Sequence, residues 1–333
     1  MGNRVISGGP GVDAFRFLLM IPVILAHAWF FAGPDAFTWT TALPLVACHA
    51  AVPFFFLVSG SLVRWQEGDL FAVPRWLLRK LLPLFVVWIS IYIAVAWLIG
   101  RDSLADLVGT IDQGGPTRHL WFLPALGMAL SLVTLSLRLA GWRATWVMAV
   151  VLAVVGLIQG GYQLFLGYPN HWLRCAFLTA PLFVLIGAAL AQRPLPSRPL
   201  LFGAALLASY LLQLGEDMLI ASAPGYAVQR HPTVTVATFP YAVSLFLFAR
   251  SLPVGEVIRW LAGFRSYAVT IYCLHPLFLM VLEEVLTARC IGLAYGLTAV
   301  VLLLCIGCAK LGRELVRWAG RQRAGELVAT RQS

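Results

Sequence analysis

"VDAFRFLLMIPVILAHAWFF", Val12 to Phe31, is an almost unbroken apolar run that nevertheless carries Asp13, Arg16 and His27. About twenty such residues, wound as a helix, cross a hydrocarbon layer ~30 Å thick. Ionisable side chains at that depth are costly and usually functional, so the same run bears on fold and on chemistry. Comparable runs recur from end to end, and the period-two alternation of barrel strands is absent. The chain reads as an all-α polytopic membrane protein, a bundle of about ten transmembrane helices. The spans are expected at 12–32, 43–63, 78–99, 119–138, 144–160, 173–191, 199–215, 233–249, 266–285 and 291–310. The first is of full length with no small-residue cleavage site behind it, and reads as a retained span.

Composition agrees. Of 333 residues, 60% are hydrophobic and 11% charged, with a mean hydropathy of +0.85; soluble domains lie nearer half apolar and a quarter charged. The net charge of +10 raises the question of nucleic acid, and its distribution answers it. With the N-terminus inside, eighteen Lys and Arg fall on the cytoplasmic side and five on the other. That is the positive-inside pattern: it sets topology, puts both termini in the cytoplasm, and implies no nucleic acid. The six cysteines sit mostly in apolar runs and read as small buried residues. Cys305 and Cys308 form a C-x-x-C without a second pair, and no metal-ligand spacing is visible. Residues 1–310 read as one transmembrane domain. Residues 311–333 read as a basic, amphipathic tail on the inner membrane surface with a disordered end. The stretches 100–118 and 216–232 are outward loops, either simple connections or the mouth of a site.

Polar residues inside spans are the candidates for chemistry. Arg16 and His27 are eleven residues apart, ~20° beyond three turns, so both lie on one helix face, ~16 Å apart along the axis. Asp13 stands three residues before Arg16 and can pair with it. The next span, "HAAVPFFFLVSGSLVRW", holds His49 and Ser59-Gly60-Ser61; the small residues suit helix contact as well as a site. Arg75, Arg79 and Lys80 in "PRWLLRKLLPLF" fit either a topology signal or a phosphate-binding patch. His119 and Trp121 open the fourth span, where a Trp also suits the interfacial belt. Tyr272 and His275 lie within the ninth, where a histidine is either structural or catalytic.

These stretches carry a resemblance. "DAFRFLLMIPVILAH" is similar to the D-x-x-R…H first helix of the acyltransferase-3 family. "FFFLVSGSL", "RKLLPLF", "HLWFL" and "SYAVTIYCLHP" follow in that family's order, over about residues 11–280. One departure stands out: Arg75 and Arg79 are spaced R-x-x-x-R, where the family usually has R-x-x-R.

The resemblance implies a membrane O-acyltransferase that moves an acyl group, usually acetyl, from cytoplasmic acyl-CoA to a hydroxyl of a glycan or lipid-linked sugar. His27 would be catalytic and Arg16 essential beside it. Arg75, Arg79 and Lys80, with Ser59, would bind the acetyl-CoA donor, and no metal is implied. Physically, cations at the inner face can hold the donor's phosphates while its arm runs past Arg16 towards His27. There His27 takes the acceptor's proton, unless it is itself acylated first. Ser59, Tyr272 or His275 would bond the oxyanion. His119 and Trp121 are further substrate or oxyanion candidates. The alternative is a multi-span transporter or flippase of a glycan or small amphipathic solute, against which no inverted repeat is found. The acceptor and the oligomeric state stay open. The ratio of 22 Arg to 2 Lys points to a GC-rich bacterial genome and so to an inner membrane.

Overall fold

In hydrocarbon the backbone has only itself to hydrogen-bond with, and the residues of this chain answer that demand with helices. The computed structural model describes residues 8–33, 39–63, 65, 69–162, 172–192, 196–222 and 234–332, and among them there is no strand. The helices are α1 (Pro10–Leu18), α2 (Met20–Ala28), α3 (Trp39–His49), α4 (Ala51–Leu62), α5 (Ala72–Leu98), α6 (Leu104–Val108) and α7 (Phe122–Gln159). They continue as α8 (Trp172–Ala191), α9 (Pro199–Ala221), α10 (Thr238–Ser251), α11 (Glu256–Gly263), α12 (Ala268–Val285) and α13 (Ile291–Gln332). Arg4, Arg64, Arg193 and Arg230, which entered the charge balance, lie outside the described residues.

Among the described residues, seven stretches are long and apolar enough to cross a membrane: Pro10–Ala32, Leu43–Leu62, Ala72–Leu98, Phe122–Gln159, Pro199–Ala221, Glu256–Val285 and Ile291–Trp318. Several depart from a straight rod for identifiable reasons. Pro22 has no amide to give to the carbonyl of Leu18, and the first span is interrupted at Leu19. Pro53 likewise leaves the His49 carbonyl without its helical donor, and the chain breaks at Ala50. The 38 residues of α7 would run ~57 Å as one helix, longer than a bilayer is thick. At Gly141 the backbone turns to φ 75° and ψ −179°. Ser136 and Thr145, on either side, then approach to a 2.9 Å hydrogen bond.

One expected boundary moves. The span placed at 199–215 runs on to Ala221, carrying Glu216 and Asp217 into the helix rather than a loop. The stretch after 310 is helical to Gln332.

On α5, Leu78, Leu82 and Val86 repeat every fourth residue and are 59%, 49% and 50% exposed, a stripe suited to lipid. Inside, three apolar clusters meet. One joins α4, both arms of α7, α8 and α10; a second joins α2, α12 and α13; a third joins α5 to α12. Tyr272 and Phe122 each border two of them, which places the start of α7 and the middle of α12 at the junction.

A close crossing joins α4 and α8. A Cβ on Gly60 would lie 2.1 Å from the Val184 carbonyl oxygen, and one on Gly187 would lie 2.1 Å from that of Leu57. The contact is reciprocal, and only glycine lets the two backbones meet. Gly60→Val and Gly187→Val are each expected to destabilise the protein by at least the ~1–3 kcal/mol of overpacking. The check is a loss of thermal stability in detergent, with Gly215→Ala, at an open position, as the control that changes little.

Candidate active site

Three histidines from three separate elements converge where the clusters meet. His27 is at the end of α2, His119 lies three residues before α7, and His275 is in α12. The ring of His27 is 5.1 Å from that of His275 and 6.2 Å from that of His119, and the latter two are 6.0 Å apart. His119 and His275 are fully enclosed. His275 Nδ1 is 2.9 Å from the Ile271 carbonyl. Since a carbonyl only accepts, Nδ1 carries the hydrogen in the neutral ring, and Nε2 keeps the lone pair. His119 Nδ1 bonds Thr117 Oγ1 at 2.6 Å. The Nε2 atoms of both rings are buried and have no hydrogen-bond partner among the described residues.

The surroundings fix these rings. Tyr272 donates to the His119 carbonyl at 2.5 Å, and Tyr92 donates to the Cys273 carbonyl at 2.9 Å. The Tyr92 ring lies 4.6 Å from that of His119. The chain reaches His119 through a tight turn. Gly114 has φ 88° and no room for a Cβ beside the Trp121 backbone, and Arg118 is left-handed at φ 50°. A non-glycine residue in that region is uncommon outside turns and functional sites.

His27 differs from its two neighbours because it faces open space. It lines a cavity of about 310 Å³ together with Trp29, His49, Phe56, Trp121 and Phe183, among others. His27 thus stands between this cavity and the buried pair. Such a ring can exchange a proton with a bound molecule on one side while its position is held from the other.

Asp13 is 3% exposed and takes two cations. Arg16 Nη1 reaches its Oδ1 at 3.3 Å, and Arg265 Nη1, from the turn before α12, reaches Oδ2 at 2.5 Å. This ties the first span to the entry of α12, and so fixes His27 relative to His275. Arg16, at 28% side-chain exposure, keeps part of its guanidinium accessible. Arg75 pairs instead with Asp69, in the segment before its own helix, which holds that carboxyl below its usual range. Arg79 and Lys80 are exposed. Among the described residues, no hydrogen bond or ion pair joins these three cations to Arg16 or His27. Ser59 is half-buried in α4, next to the Gly60 crossing.

The site also contains residues the sequence reading did not single out. Arg265 and Thr117 are two, and Tyr92 is a third. The fourth feature is a polar network around His49: its Nδ1 lies 3.2 Å from Asp217 Oδ2 and 3.2 Å from Gln213 Nε2. The signal was present, since Gln213 and Asp217 stand four apart beside an apolar run and such pairs share a helix face. Ending the span at 215 hid it.

Comparison with known proteins fits this arrangement. The profile of a family described as an acyltransferase domain matches residues 10–310. An amino-acid racemase of Enterococcus faecalis is 22% identical over 256 residues, covering 71% of this chain and 35% of its own length. A second amino-acid racemase of that organism is 29% identical over 157 residues, 44% of this chain and 22% of its own. A serine/alanine racemase of Enterococcus gallinarum is 25% identical over 303 residues, 80% of this chain and 40% of its own. The chain therefore spans two fifths or less of these relatives, and no solved structure matches it. With the family profile covering nearly the whole chain, from the Asp13 anchor through all three histidines, the chain belongs to the acyltransferase-domain family.

Proposed function

We propose that this protein is a membrane O-acyltransferase that moves an acyl group, acetyl in the first instance, from acyl-CoA to a hydroxyl of a glycan or lipid-linked sugar. We further infer ten crossings of a bacterial inner membrane with both termini in the cytoplasm. This count takes the bent α7 as two crossings and adds α8 and α10 to the apolar stretches. The observation that carries the activity is the position of His27, the one member of the histidine group on the cavity wall.

In the proposed reaction the acceptor hydroxyl lies at His27, in its neutral form, and gives up its proton as its oxygen attacks the thioester carbonyl. A C–O bond forms, the C–S bond breaks, and the CoA thiolate leaves, recovering the proton from the imidazolium. The buried rings of His119 and His275 hold His27 in place from behind. Tyr272, bonded to the His119 carbonyl, positions that ring. Arg16 is the cation available to the anionic donor along the first span, and Asp13 orients it. Arg75, Arg79 and Lys80 belong, in this reading, to the first encounter with the nucleotide end at the membrane face. The racemase names of the relatives describe proteins more than twice as long as the region they share with this chain, and that activity is not assigned here.

Two outcomes are expected. His27→Ala, matched to wild type for folded amount, lowers transfer of labelled acetyl from acetyl-CoA into membrane glycan and lipid fractions by about 10²–10⁴-fold, the usual contribution of a general base. Equal labelling by both proteins would remove His27 from the chemistry, and solute movement without acetyl transfer would favour the carrier. Asp13→Ala leaves two guanidiniums without their shared carboxylate. It should cost about 2–3 kcal/mol, below the ~3–5 of a wholly buried pair because both arginines reach solvent. The check is thermal melting in detergent, with acetyl transfer falling in parallel.

A further inference from the structure

The cavity that His27 faces has a second histidine on its wall, His49, and a buried polar group stands behind this ring. Gln213 Nε2 has two hydrogens. It lies 2.9 Å from Asp217 Oδ1 and 2.9 Å from Thr235 Oγ1, both of which accept. Its Oε1 accepts from Thr238 at 2.9 Å. His49 Nδ1 lies 3.2 Å from the same Gln213 Nε2 and 3.2 Å from Asp217 Oδ2. Nδ1 is thus turned towards the buried amide and carboxylate, and the other ring nitrogen, Nε2, is turned away from them.

Asp217, Gln213, Thr235 and Thr238 are all buried, while His49 is the member of the group that reaches the cavity. An almost enclosed carboxylate in an apolar span is costly. Here its effect is to orient one imidazole towards a space otherwise walled largely by Trp29, Phe56, Trp121 and Phe183. Aromatic walls with two convergent hydrogen-bonding groups are the make-up of a small-molecule site. The volume of about 310 Å³ is at the low end of the ~300–1,000 Å³ of such sites, so the occupant is one compact unit rather than an extended chain. Aromatic faces suit the C–H faces of a sugar ring, and imidazole nitrogens on two walls suit two of its hydroxyls.

Taking the acyltransferase reading as its basis, we propose that His49 is the acceptor-specificity residue: Nε2 forms a hydrogen bond with a second hydroxyl of the polyhydroxylated unit whose first hydroxyl lies at His27. Asp217 and Gln213 are its positioning residues. An acceptor with a single hydroxyl reaches His27 without this second hold.

The test follows the fate of the acetyl group. Membranes carrying wild type or a variant receive acetyl-labelled acetyl-CoA, and label is counted both in the glycan and lipid fractions and as free acetate. When the acceptor is poorly held, water takes its place at the thioester: its oxygen bonds the acyl carbon, the C–S bond breaks, and acetate and CoA thiol leave. His49→Ala and the bulkier His49→Gln are expected to lower transfer about tenfold or more, raise the ratio of acetate released to acetyl transferred, and leave the KM for acetyl-CoA unchanged. Asp217→Asn should shift the ratio in the same direction, because it removes the carboxylate charge that His49 Nδ1 lies against; Asp217→Glu should restore part of the transfer. Unchanged partition in the His49 variants overturns the proposal. So does a parallel fall of transfer and release, which is what a merely structural role gives. If wild type neither transfers nor releases acetyl, the acyltransferase reading itself fails, and this inference with it.

Discussion

Polar side chains inside an apolar bundle have little besides one another and the backbone to bond with, and the architecture of this protein is arranged around that constraint. The carboxylate of Asp13 takes two arginines from opposite ends of the chain. His275 uses a carbonyl of its own helix, and Tyr272 reaches across to the backbone at His119. Each of these bonds satisfies a buried group, and those of Arg265 to Asp13 and of Tyr272 to His119 also hold separate parts of the chain against one another. Among the described residues, the buried polar atoms left over are the Nε2 atoms of His119 and His275, which lie together, and Oδ2 of Asp217, which lies against His49; both places border one cavity. An apolar interior keeps unpaired polar atoms only where something else in the structure compensates.

Much of the helical scaffold was legible in the sequence because apolar length is a direct physical requirement of crossing lipid. The runs around Val12–Phe31, Ala72–Leu98 and Ile291–Lys310 could hardly be read otherwise. The breaks were harder. Pro22 and Pro53 were visible, but a proline in a membrane helix is often tolerated, and only the assembled backbone shows that the helix is interrupted at Leu19 and Ala50. The end of the span at 199–221 was misplaced because Glu216 and Asp217 look like loop residues until their partners, Tyr162 for the one and His49 for the other, are known.

The site divides along the same line. His27, Arg16 and Asp13 were legible since charge in an apolar run is conspicuous. That His27, His119 and His275 share one point in space was not, for they are separated by far more chain than any spacing rule covers. Arg265 looked like one more inner-face cation among many, and its role in holding Asp13 is a matter of tertiary geometry. Arg75, by contrast, was conspicuous in sequence and turns out to be occupied locally by Asp69. Local pattern reports which residues are unusual. It does not report which of them meet.

The bend at Gly141 has a bearing on how such a protein enters its membrane. The two arms of α7 are joined by a single non-helical residue, line the same apolar cluster, and are linked by the Ser136–Thr145 bond. With no loop between them, neither arm can be threaded and left to wait for the other; they form a hairpin whose contacts are all close in sequence. Contacts of that kind form early and cost little loop entropy. Arg138 and Arg143 flank the bend, so its charged tip resists being drawn through the bilayer. The middle of this chain is thus suited to inserting as one unit, giving α8 a finished surface to pack on before the more distant partners of the site arrive.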